Sequence, residues 1–65
     1  MNLMNIIMKK KLIDKLNVEY NNYEKCVDVC AAEHITAEVL LNMKNVLKSL
    51  LEEIDSELSS IFNDK

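Results

Sequence analysis

The chain has 65 residues, of which 49% are hydrophobic and 29% charged, with a net charge of −3 and neither Gly nor Pro. A single domain of this size buries only about 60% of the surface its unfolded chain exposes, so a second copy, a partner or a metal is expected to complete its core. The apolar content excludes a disordered tail, the missing Gly and Pro point to helix almost throughout, and the acidic balance argues against a general nucleic-acid binder.

The chain opens with "MNLMNIIMKK", where Met4 and Met8 are alternative starts. The apolar stretch is too short for a secretory signal and its lysines follow rather than precede it. No run reaches the roughly 18 apolar residues of a transmembrane helix. A cytoplasmic location is therefore expected, with an amphipathic membrane anchor ranked below it.

Apolar residues then recur with helical spacing from Ile6 through Ile13, Leu16, Tyr20, Tyr23, Val27 and Cys30. The spacing predicts helix one over about 5–33. Its first half carries the basic cluster Lys9, Lys10, Lys11 and Lys15. In "EHITAE", Thr36 is the best N-cap, Glu38 suits the first turn of a second helix, and Ile35 with Leu40 has the spacing of a hydrophobic staple. These cues predict a turn at about 34–36 and helix two over about 37–62, with a second stripe at Leu40, Met43, Leu47, Leu50, Ile54, Leu58 and Ile61. Glu52, Glu53, Asp55, Glu57 and Asp64 make that end acidic.

Folded back on itself, the chain pairs Leu16 with Ile54, Tyr20 with Leu50, Tyr23 with Leu47, Val27 with Met43 and Cys30 with Leu40, each pair of residue numbers adding to 70. The same fold sets the basic segment beside the acidic one. An all-α antiparallel two-helix hairpin in one domain, 1–65, satisfies both patterns. Leu12, Leu51, Leu58 and Phe62 widen the apolar stripes beyond what one pair of helices covers, so dimerisation into a four-helix bundle is expected. The expected interface is Ile13, Leu16, Tyr20, Tyr23, Val27, Leu40, Met43, Leu47, Leu50, Leu51, Ile54 and Leu58.

Cys26, Cys30 and His34 recur every four residues, each about 40° round a helix from the last. Three soft ligands leave a zinc site one short, so Glu33, Glu38 or a second chain would have to supply the fourth. An internal disulfide would strain a helix. Small-residue packing therefore ranks first, with a metal- or redox-responsive regulator as the alternative. C-x3-C resembles half of the twin motif of the small mitochondrial intermembrane-space chaperones, whose second motif is absent from this chain. "LEEID" with Asp55 is distantly similar to the Ser-Gln-x-x-Asp motif of sporulation phosphatase regulators, but Leu51 and Glu52 replace its Ser and Gln, and that activity is not carried over.

One histidine, no arginine, no Gly-rich loop and serines confined to Ser49, Ser56, Ser59 and Ser60 leave no catalytic constellation. The reading is a non-enzymatic, self-associating helical module that needs no cofactor and acts on another protein as a regulator, inhibitor or assembly subunit, in the manner of phage or mobile-element proteins. Nucleic-acid binding through Lys9, Lys10, Lys11 and Lys15 is the remaining alternative.

Overall fold

The computed structural model describes residues 3–63, so Asp64 of the acidic end lies outside them. Two helices account for nearly all of that length: α1, Leu3–Asp28, and α2, Glu33–Asn63. They pack on each other as an antiparallel hairpin 52 × 16 × 11 Å in extent. No helix among the described residues is long and apolar enough to cross a membrane.

The turn lies at residues 29–32, not at 34–36, and α1 stops five residues before the predicted end at 33. Val27, Asp28, Val29 and Cys30 all have low helix propensity, which weakens the helix just there. The amide of Ala31 donates to the carbonyl of Cys26 (2.9 Å) and that of Cys30 to the carbonyl of Val27 (3.2 Å). This is the Schellman pattern, with Cys30 at the left-handed position at φ 52°. Glycine normally occupies that position, and its absence from the sequence hid the turn.

A non-glycine residue there costs about 1–2 kcal/mol. Cys30→Gly is therefore expected to raise stability by about 1 kcal/mol, read as a higher urea midpoint at unchanged slope. A lower midpoint would mean that the Cys30 side chain makes a contact worth more than the strain.

Thr36 does not cap α2. The carbonyl of Ala32 accepts from the amides of Ile35 (3.0 Å) and Thr36 (3.2 Å), which makes Ala32 the N-cap and Glu33 the first helical residue. The Thr36 hydroxyl bonds back to the Ala32 carbonyl at 3.4 Å, one turn inside the helix. With the start moved to Glu33, Ile35 and Leu40 lose the staple positions, and the carboxylate of Glu33 complements the dipole at the new N-terminus.

The early turn resets the register. Residues that face each other now have numbers adding to roughly 62 instead of 70, a slide of about 12 Å at 1.5 Å per residue. The inward stripe of α1 is Lys9, Leu12, Leu16, Glu19, Tyr23 and Cys26, and that of α2 is Thr36, Val39, Met43, Val46, Leu50, Glu53 and Glu57. Both follow steps of three and four. With Leu16 and Tyr23 as heptad position a, Leu12 and Cys26 are d; on α2, Met43 and Leu50 are a, and Val39 and Val46 are d.

Candidate interaction surface

Only Cys26, at 9% relative exposure, counts as buried among the described residues. The hairpin has one layer of contact and no enclosed core. Four of the predicted interface residues, Leu16, Tyr23, Met43 and Leu50, do lie on the inward stripe and are half-buried. Ile13, Tyr20, Val27, Leu40, Leu47, Leu51, Ile54 and Leu58 are exposed. The structure thus divides the predicted stripe in two.

The exposed part is ordered. Position e, one residue after each d, reads Ile6, Ile13, Tyr20 and Val27 on α1 and Leu40, Leu47, Ile54 and Ile61 on α2, with exposures from 38% to 57%. Apart from Glu33 at the start of α2, every member of these two rows is apolar. Heptad rows seven residues apart drift little around a helix, so each forms a continuous ridge.

The two ridges lie on one side of the hairpin. Position g of both helices lines a single groove, formed by Met8, Lys11, Leu12 and Lys15 of α1 with Ser49, Glu52 and Glu53 of α2. In an antiparallel pair, g faces g on one side and e faces e on the other. The e side carries two shallow depressions. Tyr20, Tyr23, Glu24, Val27 and Asp28 line one on α1; Leu40, Met43, Lys44, Leu47, Lys48 and Leu51 line the other on α2. The e side therefore carries the apolar ridges, with Glu24, Asp28, Lys44 and Lys48 beside them, whereas the g-side groove sets Lys11, Lys15, Glu52 and Glu53 around Met8 and Leu12.

The basic and acidic segments meet as expected. Lys9 and Glu57 form a half-buried ion pair across the open end of the hairpin, and Lys11 and Lys15 share the g-side groove with Glu52 and Glu53. Lys10 lies on the outer surface of α1, so the four lysines do not make one uniform patch.

Cys26, Cys30 and His34 do not stack on one helix. Cys26 closes the inward stripe of α1, Cys30 is exposed in the turn and His34 belongs to the first turn of α2. This reverses the expected places of the two cysteines, since Cys26 and not Cys30 is the seam residue. Among the described residues no three His, Cys, Asp or Glu side chains are grouped so as to hold a metal ion.

Sequence reasoning missed the polar residues of the inward stripe, Lys9, Glu19, Glu53 and Glu57. Glu19 is the notable one, because its Oε2 is buried and has no hydrogen-bond partner. The signal available for them was the almost wholly apolar e row beside a mixed d row, which says that the hairpin contact is not where apolarity peaks.

No protein-family model, curated protein or solved structure matches this chain.

Proposed function

We propose that this chain is a non-enzymatic protein-interaction module whose e face packs on a second copy, closing a four-helix bundle that presents its outer faces to another protein. The observation that carries this reading is the position of the apolar maximum on each helix. The hairpin contact is centred between a and d, whereas the most apolar row of both helices is e, so the apolar centre of each helix is turned from that contact towards the e side. In a square bundle each helix has two neighbours about 90° apart, and its apolar centre points midway between them, about 45° from either contact. Both helices are offset in the sense that turns the e rows towards a second layer.

The surface area agrees. The hairpin exposes 5396 Å², whereas a compact chain of 7.5 kDa exposes about 4,200 Å². The excess of roughly 1,100 Å² per chain is of the size that a standard stable interface takes from each partner, about 800 Å². Within the bundle the e rows become core, and the charged g-side grooves remain outside as the surfaces for a regulator, inhibitor or assembly subunit to use.

Native mass spectrometry of the full chain, purified reduced and then exposed to zinc, tests the reading. A metal-free dimer is the expected species. A monomer at all concentrations would overturn it. A zinc-bearing oligomer that falls apart on chelation would transfer the argument to Cys26, Cys30 and His34.

A further inference from the structure

We infer that the g-side groove is the docking site for an amphipathic helix of a different protein, one with carboxylates along one edge of its apolar stripe and ammonium or guanidinium groups along the other. The inference deepens the proposed function and rests on it in one respect: with the e face covered by a second copy, the g side is the surface left for a partner.

Three rows of each helix shape the groove. Leu12 and Glu53, at position d, form its floor, and Met8, Lys15 and Ser49, at position g, form its walls. Lys11 and Glu52, at position c, are its rims. The g row of α2 is short at Asn42, Ser49 and Ser56, so α2 leaves a trough of about 530 Å³ beside Leu12. The trough is open along its length, which suits a helix laid in it better than a small molecule enclosed by it. Val18, one heptad after Lys11 on the same rim, is 57% exposed and extends the apolar surface to be covered.

Charge decides what kind of helix fits. Lys11 and Lys15 line the α1 side and Glu52 and Glu53 the α2 side. Among the described residues the ion pair formed across the hairpin is that of Lys9 with Glu57, and the four charges of the groove are not paired with one another. A helix with two acidic edges would be attracted by one side and repelled by the other, and so would a helix with two basic edges. A helix with one edge of each sign satisfies both sides, in one direction of entry, because reversing it exchanges its edges. Lys11 and Lys15 stand about 6 Å apart along α1, the spacing of carboxylates at i and i+4 on a helix lying alongside. A nucleic-acid backbone would bring phosphates against Glu52 and Glu53 as well as against the lysines, which disfavours it here.

Three synthetic helical peptides of about 21 residues provide the test, each with one face of Leu and Ala and with edges of Glu and Lys, of Glu alone or of Lys alone. In fluorescence anisotropy with the full chain, the mixed peptide is expected to bind one per chain. The other two are expected to bind at least about tenfold more weakly, the effect of exposed charge pairs turned from attraction to repulsion. Lys11→Glu with Lys15→Glu is expected to lose the mixed peptide and to take up the Lys-edged one. Lys44→Glu with Lys48→Glu, the same change of charge on the e side, is expected to keep the original order. Failure of the mixed peptide to bind, binding indifferent to Lys11→Glu with Lys15→Glu, or equal losses in the two charge-reversed variants would overturn the inference. So would a copy number that changes on sedimentation in Lys11→Glu with Lys15→Glu without peptide, since a second copy would then fill the groove. A monomeric unmodified chain overturns the e-face reading alone, because the peptide titration reads the groove in either state.

Discussion

Replacing Leu47 and Ile54 together with Asp is expected to dissociate the dimer while leaving the hairpin helical. Both residues sit in the e row of α2, outside the inward stripe, and are 43% and 38% exposed in the hairpin. Across a two-fold interface the double variant removes four apolar side chains. At about 1.5 kcal/mol or more for each, the loss is about 6 kcal/mol, a rise in the dimer Kd on the order of 10⁴-fold. Four carboxylates facing one another in the same core add to that loss.

The matching control is Asn42→Asp with Ser56→Asp, which adds the same charge on the exposed g side. Sedimentation and circular dichroism of the two double variants separate the cases. Dissociation of the first alone supports the e face as the interface. Dissociation of both would implicate net charge instead, and dissociation of neither would leave the e face without the role assigned to it.

The second large effect is expected at Glu19. This residue occupies a d position on the inward stripe, across from Met43 in the register of the hairpin, with Oε2 buried and unpartnered. A buried acceptor left without a donor costs about 1–3 kcal/mol, and more if it carries charge. Glu19→Leu removes that cost and adds apolar surface to the inward stripe between Leu16 and Tyr23, its i−3 and i+4 neighbours on α1. A stability gain of about 2 kcal/mol is expected, which in a chain this small raises Tm by about 8–16 °C. Glu19→Gln keeps an acceptor in the same place and is expected to give a much smaller gain. If Glu19→Leu instead destabilises the protein or weakens its assembly, the carboxylate has a partner in the assembled state and belongs to a binding surface.

Glu19, Glu53 and Thr36 share a feature that bears on function. They weaken the contact within one hairpin, while the e rows that would strengthen contact between hairpins carry no polar residue beyond Glu33 at the start of α2 and the hydroxyl of Tyr20. On the proposed association, such a chain would gain most of its stability from the second copy, with folding and assembly linked by mass action. Denaturation midpoints of the unmodified protein are accordingly expected to rise with protein concentration.

Much of the architecture was legible from the residues. Two long helices follow from the apolar spacing together with the lack of any Gly or Pro to interrupt them, and the hairpin follows from the basic start and acidic end, which the structure joins through Lys9 and Glu57. Periodicity also located the apolar stripe correctly on each helix. Leu16, Tyr23, Met43 and Leu50 lie inside the hairpin, Ile6, Ile13, Tyr20, Val27, Leu40, Leu47, Ile54 and Ile61 form the exposed ridges, and Leu58 lies beside them.

The place of the turn was not legible. Its left-handed residue is a cysteine, where sequence rules look for glycine, and its N-cap is an alanine, where they look for a hydroxyl or carboxylate. Thr36 and Glu38 offered better local chemistry one turn later, but the closure of Ala31 on Cys26 ends α1 before the chain reaches them.

The sequence by itself determined that each helix carries an apolar stripe broader than one neighbour can cover, and in which direction that stripe is centred. Only the tertiary structure decided which edge of the stripe faces inward. A stripe three heptad rows wide accepts a rotation of about 50° with little change in apolar burial, so periodicity does not choose between its edges. The turn does choose, because its place in the chain sets which residues of α1 and α2 come level and hence which rows are brought into contact.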